Sequence, residues 1–186
     1  MTRIDPKEAA RALNDIEEIV QRVRQSRTYD IASQMMILWG VLVFGGNIAT
    51  FLWPRDGSYI WIGVNTAGAL GAIAISMFRF PGAGGPGFDL RMAMAFIMFF
   101  AFGLLSSVVF GHFGPRELGA FWPIYFMLFY CLAGLWFGRA FISIGIGITA
   151  LILIGYFFVG GAAFLLWMAA VNGGGLILGG LWMRRI

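Results

Sequence analysis

Six runs of about twenty apolar residues, at 31–53, 59–78, 92–111, 118–138, 140–159 and 162–183, leave this chain little choice of environment. A helix rises about 1.5 Å per residue, so each run covers the roughly 30 Å of a bilayer's hydrocarbon core. Charge agrees. Asp, Glu, Lys and Arg make up 12% of the 186 residues, about half the ~25% usual in soluble domains. The expected fold class is all-α integral membrane: six transmembrane helices as three hairpins, preceded by a cytoplasmic amphipathic helix. The expected division is a segment 1–30 on the water side and a transmembrane domain 31–186.

The basic residues fix an orientation. Of 13 Lys and Arg, only Arg55 and Arg116 fall on the side opposite the N-terminus. The rest gather at the N-terminus, Arg79, Arg91, Arg139, Arg184 and Arg185. Such a bias predicts that both termini are cytoplasmic. It also explains the net charge of +4 without a nucleic-acid partner, since no basic stripe is present. Residues 1–30 are too charged to hold the apolar core of a cleavable signal, so the first span is expected to act as an uncleaved anchor.

Scarce residue types remove whole classes of chemistry. Cys131 is the only cysteine, which forbids an intrachain disulfide and a cysteine-based metal cluster. His112 is the only histidine, which forbids a bis-His haem within one chain. Lys7, the only lysine, lies outside the membrane, so no retinal Schiff base forms in a span. No metal and no cofactor are expected. A hydrolase needs a nucleophile and a base together, or a metal. Ser106 and Ser107 near one histidine are not that, and no enzyme is expected.

Residues 5–27 read as a helix. Asp5 suits the N-cap, Pro6 the first helical position, and Glu8 the return half of a capping box. Ala9, Leu13, Ile16, Val20 and Val23 follow at spacings of four and three, a two-heptad apolar seam. That seam either lies against the bilayer or the protein's own loops, or pairs with another chain.

Two turns repeat. Pro54-Arg55-Asp56 and Pro115-Arg116-Glu117 are each followed by a tryptophan seven residues after the proline, Trp61 and Trp122. At the third turn Gly160-Gly161 replaces the charged tripeptide, and Trp167 follows at similar distance. The turns would lie on the outer face, where each arginine is expected to pair with its acidic neighbour. Arg55, Asp56, His112, Arg116 and Glu117 thus form a small outer charged set, in which His112 is able to titrate near neutral pH.

Within the spans the polar residues are Asn47, Asn65, Ser106, Ser107 and Asn172. They read either as hydrogen-bonding between helices or as lining a polar pocket or narrow path, because an unsatisfied amide in hydrocarbon costs several kcal/mol. No Asp, Glu, Lys or Arg lies deep in a span, which argues against proton-coupled transport. Small residues recur every four positions, as in Gly63, Ala67 and Gly71, or Gly175 and Gly179, a spacing that lets helix backbones approach.

The first hairpin, from Trp39-Gly40 through Phe51-Leu52-Trp53-Pro54 to Gly68, Gly71 and Arg79, resembles one hairpin of the HdeD-like acid-resistance membrane proteins. That bacterial family is small, with six spans in three hairpins. The resemblance covers most of residues 31–186 in topology and only the first hairpin in local motif. It implies a bacterial inner-membrane location and a stress role, and it carries over no catalytic residue. The charged N-terminal segment and the Gly160-Gly161 turn depart from the family's pattern.

The functional expectation is a non-enzymatic scaffold or accessory subunit. Its partners would be the lipid bilayer and either a second copy, as a homo-oligomer, or another membrane protein. The alternatives are a channel or transporter for a small neutral solute, and a membrane stress or pH sensor built on His112.

Overall fold

The computed structural model describes residues 6–79, 90–111 and 113–185. The expected Asp5 cap, residues 80–89 and His112 lie outside the described residues, as do the side chains of Ala9 and Leu13. Helix α1 is Pro6–Leu52, α2 Gly57–Arg79, α3 Leu90–Val109, α4 Pro115–Phe137 and α5 Arg139–Phe158. The last span, Ala163–Met183, is assembled from α6 (Ala163–Met168), a π turn (Ala169–Gly174) and α7 (Gly175–Met183). Among the described residues five helices are long and apolar enough to cross a membrane, and Met94–Val109 of α3 is a shorter apolar stretch.

Helix α1 does not divide near residue 30. Its 47 residues form one rod of about 70 Å at ~1.5 Å per residue. The sequence explains the continuity: after Pro6 there is no proline before Pro54 and no glycine before Gly40. Nothing in Arg27-Thr28-Tyr29-Asp30 removes a donor or relaxes the backbone. The polarity of those residues marks the start of the apolar span, Thr28–Leu52, and not the end of a helix.

The most extensive helix pairings are α1 with the last span and α4 with α5. Helix α2 rests on α1, and α3 on α4. Met36, Met127, Ile152, Met168 and Met183 are among the fully buried side chains, at the meeting of α1, α4, α5 and the last span. The α1 seam therefore joins helices from different expected hairpins, and so does the α4–α5 seam.

Glycines set both seams. A Cβ on Gly40 would lie 2.9 Å from the Gly173 carbonyl oxygen and 2.9 Å from the Ile177 nitrogen. A Cβ on Gly180 would lie 2.8 Å from the Ser33 carbonyl oxygen. On the α4–α5 side, Gly145 leaves room for the Met127 carbonyl, 2.9 Å from where its Cβ would stand, and Gly138 turns the chain between the helices at φ 131°. Gly71, Gly103, Gly134, Gly175 and Gly179 are likewise packed on neighbouring helices. Gly45, Gly63 and Gly147, in contrast, have nothing within 4 Å of where a methyl group would stand.

Helix α3 is held by aromatic rings. Phe99 stacks on Tyr125 at 4.1 Å between centroids, and the Tyr125 hydroxyl donates to the Phe99 carbonyl at 2.8 Å. Gly103 leaves space for the Trp122 and Tyr125 rings beside it. Pro123 stands inside α4, so the Gly119 carbonyl loses its usual i+4 donor.

Candidate functional site

The five polar residues of the spans do not form one site. Asn47 is buried and its Nδ2 donates to the Val43 carbonyl at 2.9 Å. Asn65 is exposed and donates to the Trp61 carbonyl at 2.8 Å. The Ser107 hydroxyl donates to the Gly103 carbonyl at 2.9 Å, and Ser106 is half-buried beside it. Each of these bonds runs one turn back along the residue's own helix, the usual refuge of a lone donor in hydrocarbon. Among the described residues no hydrogen bond joins any two of the five.

Asn172 differs from the others. It sits in the π turn, buried, and its Oδ1 has no hydrogen-bond partner among the described residues. The following Gly173 packs on Phe44, one turn before Asn47 on α1, so both buried asparagines border the α1–last-span seam. A π turn in an otherwise α-helical span often marks a functional position.

The repeated turns do different jobs. In the first, Pro54–Asp56 forms a short 3-10 turn ahead of α2, and Arg55 is exposed. In the second, Pro115 is the first residue of α4, which places Arg116 at the helix start facing the end of α5. Arg116 Nη2 donates to the carbonyls of Tyr156 and Val159, each at 2.6 Å. Its guanidinium also lies 4.8 Å from the Phe164 ring centroid and 5.4 Å from that of Tyr156.

The expected arginine–acid pairs are therefore corrected. Among the described residues neither Arg55–Asp56 nor Arg116–Glu117 forms an ion pair. For Arg116 the physical reason is the competing partner: the last carbonyls of α5 have no intrahelical donors and carry the negative end of its dipole. A guanidinium satisfies two of them at once, as a hydrated carboxylate next door does not require. Glu117 instead folds over the N-terminal end of α4, where a Cβ on Gly114 would meet its Oε2 at 2.6 Å.

The three spaced tryptophans share a contact. Trp61 lies against Gly46, Trp122 against Gly103 and Trp167 against Gly155. At the third, the Trp167 indole N–H donates to the Leu151 carbonyl at 2.9 Å. Gly155 is four residues on from Leu151, and its missing side chain exposes that carbonyl. Gly155→Ala would drive a methyl into the indole and is expected to cost about 2 kcal/mol. Gly147→Ala, which meets open space in the same helix, is expected to be neutral or slightly stabilising. Denaturation midpoints of the two variants in mixed micelles check the difference.

At the opposite end the first and last spans are tied. Arg184 Nε donates to the Ser33 hydroxyl at 2.9 Å, and that hydroxyl donates to the Asp30 carbonyl at 3.1 Å. Gln34 Nε2 reaches the Asp30 carboxylate at 3.2 Å. Sequence reasoning missed Ser33, its tie to Arg184 and the α5 carbonyls that hold Arg116. A serine at the foot of a span and an arginine after the last span were visible signals, but their pairing is a tertiary fact.

No family model, curated protein or solved structure matches the chain.

Proposed function

We propose that this protein is a non-enzymatic membrane scaffold that assembles with another polypeptide through the projecting part of α1. The observation that carries it is exposure: Ile16, Ile19, Val20 and Val23 are 57%, 61%, 49% and 62% exposed on a helix that extends beyond its apolar span. A rod continuing straight out of a membrane leaves the bilayer behind, so its apolar residues face water unless something covers them. Burial of such side chains contributes about 1.5–3 kcal/mol each. In this reading both termini are cytoplasmic, the six spans form three hairpins, and the membrane is a bacterial inner membrane.

The solute-path reading draws less support. Asn65 faces outward, and Asn47 and Ser107 spend their donors on their own helices. The sensor reading rests on His112.

The test is the mass of the protein released from native membranes in mild detergent. The wild type is expected to run above the 20.5 kDa of one chain, and the Val20→Glu/Val23→Glu variant at that mass with its helix content unchanged. A wild type found only as single chains, or an assembly indifferent to the double substitution, overturns the reading.

A further inference from the structure

We propose that the groove between α1 and α2 seats one acyl chain of a phospholipid from the leaflet on the side of the Pro54–Asp56 turn, with its phosphate on Arg55 and an ammonium head group on Asp56. The proposal is independent of the scaffold reading, which concerns the part of α1 beyond its span.

Small residues make the groove. It encloses about 350 Å³ and is lined by Val41, Gly45, Ala49, Ile60, Gly63 and Ala67 among others. Gly45 and Gly63 have nothing within 4 Å of where a Cβ would stand, so the two helices leave a recess that their own side chains do not fill. Behind it Val64 packs on Gly46 and joins the two helices. Apolar side chains are exposed along every span, but here the apolar surface is concave.

The height of the groove identifies its occupant. Ala49 to Val41 is a rise of about 12 Å, against about 15 Å for half of a bilayer's hydrocarbon core. One turn further along, the same two helix faces close: the Trp39 ring lies against Gly68, and the Leu38 side chain against Gly71. Leu38 and Trp39 stand midway along the Thr28–Leu52 span. The recess is therefore one leaflet deep, with its floor at mid-membrane and its open end toward the turn. A helix of a second polypeptide crosses both leaflets and would ride over Trp39 and Leu38. A single hydrocarbon chain ends where the groove ends.

At the open end the charges match a phospholipid head. Arg55 and Asp56 are exposed, and among the described residues neither forms an ion pair. Asp56 stands one turn before Ile60 at the rim of the groove, with Arg55 next to it. A guanidinium takes a phosphate through its fork of N–H donors, and a carboxylate accepts from an ammonium. Trp53 and Tyr59, both exposed, flank the turn as aromatic residues do at a membrane–water interface. The sister turn offers no such seat, since Arg116 is committed to the α5 carbonyls.

Native mass spectrometry of the full-length protein in mild detergent tests it. The probe is palmitoyl-oleoyl phosphatidylethanolamine, and the comparison is the phosphatidylglycerol with the same chains. One phosphatidylethanolamine is expected to stay bound, with affinity about tenfold above that of phosphatidylglycerol. Gly63→Leu and Gly45→Leu, which fill the groove from its two walls, are each expected to lower that affinity about tenfold. Gly147→Leu, which meets open space on α5, should leave it unchanged. Arg55→Ala is expected to weaken both lipids about tenfold, and Asp56→Asn to remove the preference between them. Helix content equal to wild type shows that each variant keeps its fold. Affinity indifferent to both groove substitutions, or lowered as much by Gly147→Leu, means that lipid meets the groove as it meets any other part of the surface, and overturns the seat. Equal affinity of the wild type for the two lipids, or wild-type affinity in Arg55→Ala, overturns the head-group assignment.

Discussion

Gly173→Ala is expected to lose about 3 kcal/mol of stability. The added Cβ would stand 2.6 Å from the Phe44 Cβ and 2.7 Å from the Phe44 Cα and nitrogen. Two of those three atoms are backbone, so no rotamer change relieves the clash, and α1 must move away from the last span. Overpacking of a close-packed interior costs typically about 1–3 kcal/mol, and a backbone obstacle puts this case at or above the upper end. The neighbouring Gly174→Ala supplies the contrast. Its nearest obstacle is the Ala169 carbonyl oxygen at 4.0 Å, and alanine is favoured over glycine in a helix by about 0.8–1.0 kcal/mol. Gly174→Ala should therefore be neutral to stabilising. Reversible unfolding in mixed micelles, followed by helical circular dichroism, reads both. Equal midpoints for the two variants would show that α1 and the last span are not in backbone contact at Gly173.

Arg116→Ala is expected to cost about 2–4 kcal/mol. The substitution removes two charge-assisted hydrogen bonds and the guanidinium between the Tyr156 and Phe164 rings. It also leaves the carbonyls that end α5 without their donor. Arg116→Lys keeps the charge but not the planar fork, so it should recover less than half of the loss. Arg55→Ala, in the sister turn, should change stability by less than about 0.5 kcal/mol, because Arg55 is exposed and among the described residues makes no ion pair. The same unfolding assay checks the series. Comparable losses at Arg55 and Arg116 would show that both arginines serve their own turns, as the repeat in the sequence suggests.

Those two turns show where sequence reading succeeds and where it stops. The spans are legible because hydropathy and length are local properties, and α4, α5 and the last span fall within a few residues of the apolar runs. Pro115 as a helix start is legible for the same reason. The partner of Arg116 is not, because it lies forty residues along the chain at the end of another helix. Nor does the sequence say which glycines touch which helix: Gly45 and Gly46 are adjacent, yet only Gly46 meets a neighbour, Val64. Spacing names a face, and only the fold says what lies opposite. The unbroken α1 is within reach of sequence reasoning, since no residue between Arg27 and Ile31 ends a helix; a polar boundary to a span is not by itself a break in the backbone. The polar set misleads for a further reason. A backbone carbonyl one turn back is always near, so Asn47, Asn65 and Ser107 satisfy their donors without meeting one another.

The π turn at Ala169–Gly174 has a consequence for how this span can change over time. Such a turn takes up one more residue than the i+4 ladder on either side of it. It therefore works as an expansion joint: a single inserted residue is absorbed there, while Met168 before it and Gly179 after it keep their orientations toward the core. Relatives of this chain should differ by a one-residue gap at this level more readily than anywhere else in the last span.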